Sequence, residues 1–203
     1  MPERRRLARA VLAVGATYTA FLLCAQFGFL AQLRSELGSD VAALRSALGA
    51  MAVLGILGGV LSAWVGARLG EARGVRVGLA ALALVAAISP LARGPGQLLA
   101  TAGALGGALG FLTVSLAGGL ARLAPAGRAG TAAAWGTGLA YLISNLPWLF
   151  DGSPALRAWA PAGLCLLAAV WSPVPGSGEP GPARPGEPAL RFAGAVALFA
   201  GLV

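Results

Sequence analysis

Histidine and lysine are both missing from this chain of 203 residues. Without histidine it has no ordinary metal ligand, acid–base catalyst or proton switch near neutral pH. Without lysine its basic side is entirely arginine: 15 basic residues against 7 acidic ones, a net charge of +8. Charge of either sign is scarce, at 11% of residues, where a soluble domain carries about a quarter. That balance argues against a water-soluble globular enzyme. Only two cysteines are present, Cys24 and Cys165, each inside an apolar run. They form neither a disulfide framework nor a zinc pattern, and read as small apolar residues. No cofactor is expected. The pI near 11.4 would ordinarily raise nucleic acid as a partner. Here the arginines stand singly between apolar runs rather than on one basic face, so no nucleic-acid role is expected.

What is abundant is apolar. Hydrophobic residues make up 58% of the chain and the mean hydropathy is +0.80. This excludes disorder for most of its length and suits six membrane helices of about 20 residues each. Residues 1–9 form a basic N-terminal segment with four arginines, Arg4, Arg5, Arg6 and Arg9. The apolar stretch that follows, 10–33, is too long for a signal peptide and reads as a first span. Further spans are expected at 48–66, 76–93, 98–121, 129–150 and 158–172, the third and sixth being short. Together 10–172 make a six-helix bundle. Residues 173–190 read as an extended, Pro-rich linker. Residues 191–203 are apolar again but too few to cross a bilayer, and read as an incomplete seventh segment.

Arginine placement sets the expected topology. With the N-terminus in the cytoplasm, Arg4, Arg5, Arg6, Arg9, Arg68, Arg73, Arg76, Arg122, Arg128, Arg184 and Arg191 fall inside. Arg34, Arg45, Arg93 and Arg157 fall outside. The bias is positive-inside. Trp64, Trp148, Trp159 and Trp171 stand near span ends, as interfacial aromatics do, while Trp135 lies within the fifth span. The arginine-only basic set and the Ala, Gly and Pro richness suggest a bacterial source, and hence the inner membrane.

Glycine supplies the packing. Gly55-x-x-x-Gly59, Gly103-x-x-x-Gly107, Gly106-x-x-x-Gly110 and Ser115-x-x-x-Gly119 each place small residues on one helix face, where backbones can approach closely. No acid or arginine lies deep in a span, so proton relays and buried ion pairs lack their usual groups. A solute bound here would meet neutral side chains. The candidates are Tyr18 and Gln26 in the first span, Thr113 in the fourth, and Tyr141 and Asn145 in the fifth. The last two belong to a stripe of Thr137, Tyr141, Ser144, Asn145 and Trp148 spaced by three and four. Pro147 predicts a local kink there. Thr113 and Ser115 read as bonding back to their own helix. Paired carboxylates, a nucleophile with its base, and a phosphate-cradling loop are all missing, so no enzymatic activity is expected.

The plan of six spans with an inside N-terminus, a Pro-rich linker and the start of a seventh span resembles the N-terminal half of a major facilitator superfamily transporter. The loop between its spans two and three carries Gly-x-x-x-Asp-Arg-x-Gly-Arg-Arg. The matching stretch here is Ala63-Trp64-Val65-Gly66-Ala67-Arg68-Leu69-Gly70-Glu71-Ala72-Arg73. Arg68 and Gly70 match, Ala67 replaces the aspartate, and Arg73 and Arg76 keep the loop basic. Pro125-Ala126-Gly127-Arg128 followed by small residues is similar to the start of that family's span five. The resemblance implies two inverted three-helix repeats and a solute site between two such halves. It assigns Arg68, Gly70, Arg73 and Arg128 to gating loops. The partners expected are the lipid bilayer, a small solute and a second half supplied by a longer chain, a partner or another copy. A non-transporting membrane scaffold is the competing reading, and a lipid-acting intramembrane enzyme a third.

Overall fold

The structure is a computed structural model that describes residues 3–38 and 40–171. The Pro-rich linker and the last apolar segment lie outside the described residues. Within them the chain is all-helical. Helix α1 runs Glu3–Leu37 and includes a π-helical stretch, Ala20–Phe29. Helix α2 is Val41–Leu69, α3 is Glu71–Ile88 with a 3-10 turn Ser89–Leu91, and α4 is Gly94–Leu123. Helix α5 is Ala129–Ser144, α6 the single turn Pro147–Phe150, and α7 Pro154–Trp171.

Five helices are long and apolar enough to cross a membrane: α1, α2, α3 with its 3-10 turn, α4 and α7. The sequence reading expected six. The difference lies at 129–150, where one span was expected and two pieces are found. Pro147 cannot donate a backbone hydrogen bond, and its ring drives the residue before it out of helical geometry. Leu146 accordingly sits at φ −65° and ψ 124°. Helix α5 keeps 16 residues, about 24 Å of rise. The spans expected to be short are longer than anticipated: 21 residues for Glu71–Leu91 and 18 for α7.

Turns between helices form two poles. Asp40 caps α2 by accepting from the Ala43 amide at 3.0 Å. Gly70, at φ +84°, makes the sharp joint between α2 and α3 that a side chain would strain. At the first pole Arg128 pairs with Glu3 at 3.3 Å and Arg122 with Glu71 at 3.3 Å. Arg6 donates to the carbonyls of Arg122 and Ala124 there. At the second pole Gln32 donates to the Ala92 carbonyl at 3.0 Å. Phe27 meets Phe150 edge-on, centroids 5.4 Å apart, and Trp159 donates to the Ala87 carbonyl.

The main packings are α2 on α4, α1 on α5, α3 on α4, α1 on α7 and α3 on α7, with a lighter contact between α1 and α4. The α2–α4 seam is glycine-built. A methyl on Gly106 would collide with the Met51 carbonyl, and one on Gly110 with the Gly55 carbonyl. Register increases together on both helices, so they run parallel. Helices α1 and α5 also run parallel, with Gly15 facing Gly136: a side chain begun at Gly15 would stand 3.4 Å from the Gly136 carbonyl. The core is made of leucine, alanine and valine from α1, α3, α4 and α7, with Leu23, Leu79, Leu82, Leu105 and Leu112 fully buried.

Candidate functional site

The polar residues of α1 owe their position to the π-helix. Tyr18 and Gln26 are eight residues apart, which in an unbroken α-helix overshoots two turns by about 80°. The wider i→i+5 turns of Ala20–Phe29 rotate less per residue and bring Gln26 back toward the Tyr18 side. Both side chains reach the open surface. Gly28 belongs to the same device, since a Cβ there would stand 2.7 Å from the Leu23 carbonyl five residues earlier. Gln26, Phe27, Leu30, Ala31 and Arg34 line a shallow recess of about 250 Å3 beside it.

On α5, Tyr141 and Asn145 are exposed and Thr137 is half-buried, but Ser144 turns inward and is buried. The stripe expected on one face is therefore divided by the end of the helix. The Asn145 backbone amide donates to the Tyr141 carbonyl at 3.1 Å, and its side-chain amide donates to the same carbonyl at 2.8 Å. From the Gly15–Gly136 contact, Tyr18 lies three residues on and Tyr141 five. Their Cα atoms therefore differ in height by about 3 Å. Gln26 and Asn145 lie further along, at about 14–16 Å from the same contact. The four side chains thus stand in two tiers on neighbouring parallel helices, all neutral. Thr113 lies apart from them on α4, half-buried, beside Val114, which packs against Gly59.

The buried polar side chains among the described residues are Thr17, Thr19, Gln32, Ser62, Ser89, Ser115 and Ser144. None is ionisable. Ser115, expected to bond back to its own helix, instead meets Ser62 across the α2–α4 seam at 2.7 Å. Gln32 had no assigned role, yet it rather than Gln26 is the buried glutamine of α1, donating to the Ala92 carbonyl. The rotation added by the π-helix is not written in hydrophobic spacing, so this exchange had no sequence signal. Among the described residues no group of three or more His, Cys, Asp or Glu side chains could hold a metal ion.

The expected gating residues cluster at the first pole. The Arg68 guanidinium stacks 3.8 Å over the Trp64 ring. Gly70 forms the α2–α3 joint, Arg73 is exposed, and Arg128 is paired with Glu3. Glu71, which the sequence comparison left without a role, packs beside Gly118 and Gly119 and takes Arg122 from the end of α4. It ties the α2–α3 turn to the next helix pair. Nine of the arginines lie toward this pole (Arg4, Arg5, Arg6, Arg9, Arg68, Arg73, Arg76, Arg122, Arg128) and four toward the other (Arg34, Arg45, Arg93, Arg157). No protein-family model matches the chain, and no curated protein matches it.

Proposed function

We propose that this chain is a membrane transporter half of the major facilitator kind, moving a small solute by alternating access together with a second half. The observation that carries the reading is the pattern of helix packing. Take α1, α2 and α3 as one triplet, and α4, the broken α5–α6 unit and α7 as another. Exchanging the triplets turns α2 on α4 into α5 on α1, and α3 on α4 into α7 on α1. It leaves α3 on α7 and α1 on α4 unchanged. That is the pairing expected of two inverted three-helix repeats, with α5–α6 standing as the fifth span. The neutral tiers of Tyr18, Tyr141, Gln26 and Asn145 supply hydrogen bonds to the solute, and Thr113 adds one from α4. The arginine-rich pole faces the cytoplasm of a bacterial inner membrane, where the Arg68, Gly70, Arg73 and Arg128 loops gate access.

The test is flux in proteoliposomes made with the full chain and loaded with labelled sugars, amino acids and organic cations. Transport of one of these, falling at least tenfold in Gln26→Ala or Asn145→Ala with fold retained, supports the reading. Transport unchanged in those variants and in Tyr141→Phe would remove the site assignment. Absence of flux together with a stoichiometric co-purifying membrane partner would favour the scaffold role.

A further inference from the structure

We propose that α5 has two registers on α1, one helical turn apart, and that Thr19 and Ser144 hold the second one together. Nothing in this depends on the transport reading. Both side chains are almost wholly buried, at 1% and 2% exposure, and neither hydroxyl has a hydrogen-bond partner. Other buried hydroxyls do. Thr17 donates to the Ala13 carbonyl at 2.7 Å, and Ser62 and Ser115 bond to each other at 2.7 Å across the α2–α4 seam. Each of the two parallel seams thus buries a hydroxyl from either helix, bonded in one and unbonded in the other. Thr19 lies one turn past Gly15, on the face that meets Gly136. Ser144 ends the buried stripe Ala132, Gly136, Ala140 and Ser144, which α5 turns toward α1.

The two hydroxyls miss each other because of register. Gly136 stands 121 positions after Gly15, but Ser144 stands 125 after Thr19. With the helices parallel, the offset is four residues, about 6 Å. A shift of α5 by one turn toward the first pole sets Ser144 level with Thr19 and Ala140 level with Gly15. The stripe carries a small residue at every fourth place, so it can meet α1 again after one turn. Each register keeps what the other lacks. The observed one has the closer backbones, since a methyl in the place of Gly136 would collide with Val14. The shifted one pairs two buried hydroxyls that are costly to leave unbonded. Little else holds α5 lengthwise. It has only slight contact with α4, and Trp135, Leu139 and Leu142 are exposed. Gly127, at φ +73°, turns the chain into it, and Leu146 leaves helical geometry after it. The ion pair of Arg128 with Glu3, 125 positions apart, already joins residues that the shift brings level. One-turn steps of one packed element past another are an established form of switching.

The test is disulfide trapping in membranes that hold the full chain, with Cys24 and Cys165 replaced by alanine. Val11→Cys with Ala132→Cys reports the observed register, 121 positions apart, and Leu7→Cys with Ala132→Cys the shifted one, 125 apart. Both pairs leave Thr19 and Ser144 in place. On oxidation with copper-phenanthroline both pairs are expected to cross-link. Adding Thr19→Val or Ser144→Ala should slow cross-linking of the Leu7 pair roughly two- to tenfold, as the loss of one buried hydrogen bond would. The Val11 pair should cross-link as fast as before or faster. Thr19→Ser keeps the hydroxyl and should keep the Leu7 cross-link. Cross-linking of the Val11 pair alone, or a Leu7 pair indifferent to both hydroxyls, would overturn the proposal. Should the cysteine pairs fail to fold, thermal midpoints of Thr19→Val, Ser144→Ala and the double variant, with the native cysteines kept, decide the same question. Non-additive effects support a register in which the hydroxyls meet, and additive ones refute it.

Discussion

Two glutamines six residues apart on one helix meet different fates, and the contrast predicts how each tolerates change. Gln32 is buried and donates to the Ala92 carbonyl in the turn after α3, which Arg93 Nη1 also reaches at 3.1 Å. Replacing it with leucine should cost about 0.5–1.5 kcal/mol by removing a buried hydrogen bond, read as a lower thermal midpoint in detergent. Gln26 is exposed, and Gln26→Leu should leave the midpoint within about 0.5 kcal/mol of wild type. Solute flux, by contrast, should fall. A reversed order of the two stabilities would mean that the π-helical stretch does not set the rotation of α1. At this scale the sequence was readable for residue type but not for direction. The scarcity of intramembrane polar groups named nearly all the candidates. Which of them turned inward depended on where α1 widens and where α5 stops.

At the level of helices, composition spoke clearly. The apolar runs located the five long helices and counted a sixth at 129–150 where the helix breaks, and the arginines between them fell at the helix ends. What spacing could not show was how far Pro147 goes. A kink was expected and a break is found, because Leu146 gives up helical geometry entirely and Asn145 closes the last turn with two bonds to one carbonyl. Pro147→Ala should rejoin α5 to α6, and slower hydrogen exchange at residues 146–149 would register it. Unchanged exchange would place the cause of the break elsewhere. The glycine pattern was legible in the same way: Gly55, Gly106, Gly107 and Gly110 were expected to pack and do. Gly110→Leu should destabilise by at least about 1–3 kcal/mol through overpacking. Gly138, with open space around it, should accept alanine and gain up to about 1 kcal/mol of helix propensity. Equal effects at the two positions would contradict the seam.

For the molecule as a whole, the arginine asymmetry predicts sidedness that labelling can read. Arg73→Cys should react with a membrane-impermeant thiol reagent only after cells are opened, and Arg45→Cys in intact cells. The native Cys24 and Cys165 are buried and should contribute little background. The reverse pattern would invert the topology and move the basic pole outside. The order of the spans was legible from the sequence, but their partnership was not. Nothing in the apolar runs says that α2 lies along α4 rather than along α1, because that choice is made by glycines meeting carbonyl oxygens across two separate segments.

That seam has a consequence for assembly. The apolar stretch of α2 is only 17% buried, against 61% for that of α1, and most of what it buries lies along α4. A backbone-to-backbone contact admits no lipid tail and no water. Its glycines also act as teeth that forbid sliding by a residue in either direction. Helix α2 is therefore hung on one edge: either fully engaged with α4 or released as an independent helix in the bilayer. It should be the last span to dock during folding and the first to leave under force, detaching in a single step.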